Sequence, residues 1–131
     1  MAEWVAIVDD HESMRSSLSR ALRLEGIRAI AFASAEEYLD HSAPRSPCCL
    51  LLDMQLPGMK GLALARFLDR ERPPLPPTIF MSGHEDLSAP LEGDSLVHGR
   101  LGKPFDLEEL LGLVKPLVSA GAAEEIWPTL H

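Results

Sequence analysis

Three carboxylates, a hydroxyl and an ammonium stand where they could act together: Asp9 and Asp10, Asp53, Ser82 and Lys103. Each closes a short apolar run, respectively Trp4 to Val8, Cys48 to Leu52, Thr78 to Met81 and Gly99 to Leu101. Clustered carboxylates repel and raise one another's pKa unless a cation is present. A hard divalent ion with oxygen ligands, Mg²⁺ before others, suits such a set and keeps several of its waters. Beside that ion Asp53 has the makings of a nucleophile toward a phosphoryl group, with an acyl phosphate as the product. The ion and Lys103 would neutralise the transferring oxygens, and Ser82 would donate a hydrogen bond to them. Taken singly, each residue has a plainer use. Asp9 or Asp10 can cap the helix that follows, and Asp53 can make a local turn bond. Ser82-Gly83 is a common loop dipeptide, and Lys103 can simply be solvated. Four such placements, at the ends of four of the five strands, are hard to assign to capping.

The elements that carry them alternate strand and helix. Trp4 to Val8 is apolar on both parities, as in a strand covered on both faces. Met14, Leu18, Ala21 and Leu22 recur at helical spacing before a stop at Gly26. Ile27 to Phe32 reads as a second strand, and Ser34-Ala-Glu-Glu37 as a capping box opening a short helix through about His41. Pro44 and Pro47 precede the third strand, and Lys60 to Glu71 carries Leu64, Phe67 and Leu68 on one helical face. Pro73, Pro74, Pro76 and Pro77 form a stiff connector. The segment 85–97 should hold a crossover helix, but Pro90 and Gly93 weaken it. Asp106 then caps a last helix with Leu107, Leu110, Leu111, Val114, Leu117 and Val118 on one face, and Pro116 predicts a kink or an early end near Lys115. This alternation implies an α/β fold, a doubly wound five-stranded parallel sheet with helices on both faces and a weak fourth helix. Residues 1–121 would form one domain and 122–131 a loose tail that Trp127 could pin. In such sheets the site lies beyond the carboxyl ends of the strands.

Composition removes other classes. The 131 residues suit one domain, and 12 Lys and Arg against 20 Asp and Glu leave a net charge of −8, which argues against direct binding of nucleic acid. Cys48 and Cys49 are adjacent, so a bond between them is not expected. Without a signal peptide or an apolar stretch approaching 18 residues, a cytoplasmic protein with no membrane contact is expected. A GTPase would need a Gly-rich turn ending in Gly-Lys-Ser/Thr. The acidic turn Asp9-Asp10-His11-Glu12 would repel a flavin phosphate. A phosphatase of the haloacid-dehalogenase kind wants Asp-x-Asp and a cap, whereas Met54-Gln55 follow Asp53.

The set Val8-Asp9-Asp10, Leu52-Asp53-Met-Gln-Leu-Pro57-Gly58, Met81-Ser82-Gly83 and Lys103-Pro104-Phe105 resembles the receiver domain of two-component response regulators, over residues 3 to about 120. The resemblance implies the flavodoxin-like strand order 2-1-3-4-5 and transfer of a phosphoryl group to Asp53 from a sensor histidine kinase or phosphotransfer protein. It implies a phosphoacceptor switch, not a turnover enzyme. Asp10, Asp53 and the backbone carbonyl of Gln55 would hold Mg²⁺ (or Mn²⁺), with Asp9 assisting, while Ser82 and Lys103 contact the phosphoryl oxygens. Gln55 and His84 match positions that tune the lifetime of the phosphoryl group. The stretches Ile7 to His11 and Met81 to His84 are similar to FixJ-type receivers, which commonly precede a LuxR-type DNA-binding domain; the five β-α units leave no room for one in these residues. The partner downstream would be an output protein or domain, or a second copy of the chain.

Two features depart from the family pattern. Three residues before the lysine, where an aromatic ring usually reports phosphorylation, stands Arg100. It is either a solvated arginine or an ionic switch pairing with Glu85 or Asp86. The Gly-Ala usual before the fifth strand is replaced around Leu96-Val97, which puts the 85–97 helix and its signalling face in question. These departures keep open a pseudo-receiver, an interaction module independent of phosphorylation.

Overall fold

The structure, a computed structural model, describes residues 3–41, 46–83 and 96–130, with side chains as far as Val118. Its elements in chain order are β1 (Trp4–Val8), α1 (Glu12–Leu24), β2 (Arg28–Phe32), α2 (Ala35–Asp40), β3 (Cys49–Asp53), α3 (Gly61–Glu71), β4 (Thr78–Ser82), β5 (Gly99–Gly102) and α4 (Leu107–Leu130). The strands form one five-stranded sheet in the order β2-β1-β3-β4-β5, and every pairing is parallel. The flavodoxin-like arrangement expected from the sequence is therefore present. The expected weak helix within 85–97 lies outside the described residues, as do His84, Glu85 and Asp86.

Side-chain alternation divides the strands between two cores. Ala6, Val8, Leu50, Leu52 and Phe80 pack with Ala35, Tyr38, Leu64, Ala65 and Leu68 of α2 and α3. Val5, Ile7, Cys49, Leu51, Ile79, Met81 and Leu101 pack with Leu18 and Leu22 of α1 and Leu110 and Val114 of α4. β1, β3 and β4 are buried along their whole length, which explains their lack of a polar alternate face. Cys48 and Cys49 are both free thiols.

Local signals set the helix ends. The α1 helix stops at Gly26, whose φ of +74° is open to glycine without strain. Ser34 Oγ accepts the Glu37 N–H at 3.1 Å, and Glu37 Oε1 reaches back to the Ala33 N–H at 3.3 Å. Asp106 Oδ1 accepts the Glu108 N–H at 2.9 Å and starts α4.

That last helix corrects two expectations. It does not end near Lys115 but continues to Leu130, taking in residues assigned to a loose tail. Pro116 removes a single hydrogen bond, and beyond it Leu117 and Val118 still pack on the core and hold the chain to its helical course. Leu107, placed on the apolar face by spacing, is half exposed in the first turn of the helix. Among the described residues no helix is long and apolar enough to cross a membrane.

Candidate functional site

The parallel register brings the strand ends into one row. Val8 lies opposite Leu52 and Asp53 opposite Met81, so Asp9 and Asp53 emerge side by side. Ser82 pairs with Gly102, and the Lys103 N–H donates to the Ser82 carbonyl at 2.8 Å, which delivers Lys103 to the same edge.

Asp9 and Asp53 are both buried, and each divides its two oxygens between different tasks. Asp9 Oδ1 accepts the His11 N–H at 2.8 Å, and Asp53 Oδ1 accepts the Gln55 N–H at 3.0 Å. The Asp53 bond is the local turn bond that the plainer reading anticipated, while Asp9 also makes a turn bond in place of the helix cap considered for it, the N-cap residue of α1 being His11. They do not exclude the chemical reading, because they aim the other oxygen of each carboxylate at Lys103. Lys103 Nζ lies 2.8 Å from Asp9 Oδ2 and 3.2 Å from Asp53 Oδ2. The contacts are between charges, and neither oxygen has a well-aligned hydrogen bond. Arg15 anchors the turn from α1 by donating to the Asp9 carbonyl at 2.9 Å.

Burial is the main reason the Asp53 carboxyl sits above its usual pKa range; the Gln55 N–H and Lys103 pull it down, and the charge of Asp9 pushes it up. Burial alone would lower the Lys103 ammonium, but contact with Asp9 and Asp53 outweighs it and the pKa is raised. The lysine is held charged between two acids.

Asp10 is partly exposed and joins the cluster from the rim. Asp9, Asp10, His11 and Asp53 each offer a ligand atom, all within 4.8 Å of one another. This oxygen-rich donor set fits a hard divalent cation. Ser82 Oγ is buried and has no hydrogen-bond partner among the described residues. A buried hydroxyl is seldom left so, and here it lies at the strand end beside Asp53. Gln55 is exposed, and its side-chain oxygen accepts from Lys60 Nζ at 3.1 Å. Arg100 is half-buried in β5, paired in register with Phe80.

Sequence reasoning overlooked two participants. His11, quoted only as part of a motif, directs its ring into the cluster, and its place directly after Asp9-Asp10 was the available signal. Gly61 packs so closely under the site that a Cβ there would lie 2.3 Å from the Asp53 carbonyl oxygen. Nothing in the residue type alone announces that approach.

A parallel sheet with these residues at its carboxyl edge defines a receiver, and the chain belongs to the response regulator receiver domain family, which matches residues 5–115. Among curated relatives it is 40% identical over 114 residues to the DNA-binding transcriptional regulator NtrC of Klebsiella pneumoniae, covering 86% of this chain and 24% of the relative. The chain thus spans about a quarter of the length of that regulator. Among solved structures, the response regulator StyR superposes with a TM-score of 0.82 at 28% identity, covering 99% of this chain and 66% of StyR. The BeF3-activated DrrB receiver domain gives 0.76 at 26% identity, covering 91% and 99%.

Proposed function

We propose that this receiver is a phosphorylation switch: Asp53 takes a phosphoryl group from a phosphohistidine of a sensor histidine kinase or phosphotransfer protein. The observation that carries the reading is the division of labour at Asp53, where Oδ1 is tied to the backbone and Oδ2 faces Lys103, while the Ser82 hydroxyl at the adjacent strand end has no hydrogen-bond partner among the described residues. In the transfer, Asp53 Oδ2 forms a bond to phosphorus as the phosphorus–nitrogen bond of the donor breaks. The electron pair goes to the donor imidazole, which takes a proton from water.

Asp10, Asp53 and the Gln55 carbonyl, assisted by Asp9, would hold Mg²⁺ (or Mn²⁺), which supplies positive charge against the transferring oxygens. Lys103 supplies the second positive charge, and Ser82 a hydrogen bond to a phosphoryl oxygen. The modification adds about −1.5 to −2 of charge. Lys103 then trades its contact with Asp53 for the phosphoryl group, and these different contacts favour a second conformation that an output protein or domain reads. The domain itself acts in the cytoplasm without touching nucleic acid, in keeping with its net charge of −8.

Incubation with acetyl phosphate and Mg²⁺, followed by intact-mass measurement, tests the reading. The parent should gain one phosphoryl group, and Asp53→Asn none. If neither protein is modified, the chain is a pseudo-receiver; if both are, Asp53 is not the acceptor.

A further inference from the structure

A receiver's ion site is expected to be made of oxygen. In this chain an imidazole stands inside it. His11 Nδ1 lies 3.0 Å from Asp9 Oδ1, 3.3 Å from Asp10 Oδ1 and 4.0 Å from Asp53 Oδ2. Ligand atoms around one ion with bonds near 2.1 Å stand about 3 Å apart, so the nitrogen is spaced from two carboxylates as a fellow ligand would be. The ring needs no large rearrangement to serve. His11 is the residue preceding α1, and its backbone N–H is already fixed by Asp9 Oδ1 at 2.8 Å. The side chain is 62% exposed, so a neutral ring can carry its proton on the second nitrogen in contact with water and offer Nδ1 as a lone pair. Independently of the histidine, Asp9 Oδ2 and Asp53 Oδ2 are buried carboxylate oxygens without a directed hydrogen bond, facing the Lys103 ammonium at 2.8 Å and 3.2 Å.

From this juxtaposition we infer that His11 is a metal ligand that biases the site toward a borderline divalent transition ion, such as Co²⁺, over Mg²⁺. Mg²⁺ gains little from imidazole, because it prefers oxygen and keeps its waters, whereas later first-row ions bind nitrogen donors strongly. The bias rests on the phosphoacceptor reading for its biological use but not for its measurement.

Calorimetric titration of untagged protein with CoCl2 and with MgCl2, for the parent and for His11→Ala, reads it directly. The ratio of Co²⁺ to Mg²⁺ affinity should fall at least about tenfold in the variant. In the parent, Co²⁺ should also shift or broaden the His11 ring signals in the NMR spectrum. A ratio that stays within twofold, or His11 ring signals untouched by Co²⁺, overturns the inference and leaves His11 as a hydrogen-bond partner of Asp9. Acetyl phosphate modification of the same samples keeps the two questions apart. An Mg²⁺-dependent adduct on Asp53 with an unchanged ratio sinks only the role of His11. A changed ratio without an adduct sinks only the phosphoacceptor reading.

Discussion

At the scale of single residues, the site depends on a carboxylate kept where it is poorly solvated. Because burial raises the Asp53 pKa, folding favours its protonated form. The stability contributed by this group is full below the ordinary carboxylate pKa and is lost as pH rises through the raised value. Asp53→Asn removes the titration, so in metal-free buffer the variant should melt above the parent at pH 7, and the gap should close as pH falls toward about 4. Each kcal/mol relieved is worth about 4 °C in Tm. Scanning calorimetry across that range checks it; a parent as stable as the variant at neutral pH contradicts a burial cost at Asp53. Asp53, Ser82 and Lys103 were legible from residue type and strand-end position alone. How Asp9 and Asp53 share out their oxygens was not, because the same two residue types serve equally well in ordinary turns.

At the scale of elements, α3 approaches the end of β3 closely enough that only hydrogen fits at Gly61. Gly61→Ala should push back the Asp53 carbonyl and cost about 1–3 kcal/mol. Gly112→Ala, in the interior of α4 with nothing within 4 Å of a new Cβ, should stabilise by about 0.5–1 kcal/mol. Urea unfolding of the two variants checks the contrast, and equal effects would mean that close approach is not what distinguishes them. The positions of β1 and β3 were readable because wholly apolar runs of five residues, Trp4 to Val8 and Cys48 to Leu52, leave few alternatives in a parallel sheet. The course of α4 was not: a local rule about Pro116 predicted a break, and the packing of Leu117 and Val118 on the far side prevailed. Leu107 failed because periodicity locates a face but not how far toward the helix end that face stays covered.

At the scale of the whole molecule, the sheet is a partition between two cores, and β3 lies at its centre. Leu50 and Leu52 face one core while Cys49 and Leu51 face the other. A displacement of Asp53 along that strand therefore bears on the packing of helices on both sides. A parallel sheet covered on both faces was accessible from alternation and connectivity, whereas the strand order came only from the family resemblance. The register that sets Asp9 beside Asp53 required the paired strands themselves.

The thiol of Cys49 on β3, with Cys48 just before it, gives this central strand a chemical clock. Burial pushes Cys48 up to about 11 and Cys49 higher still, so neither is a ready thiolate near neutral pH. Cys49 is buried, and an alkylating reagent can meet it only when the sheet opens. Its labelling by iodoacetamide should be slowed at least about 10³-fold relative to the urea-unfolded chain. Gly61→Ala should shorten the wait in proportion to the stability it removes. Labelling of Cys49 at the unfolded-chain rate in the native protein would show that the strand carrying Asp53 is not held shut.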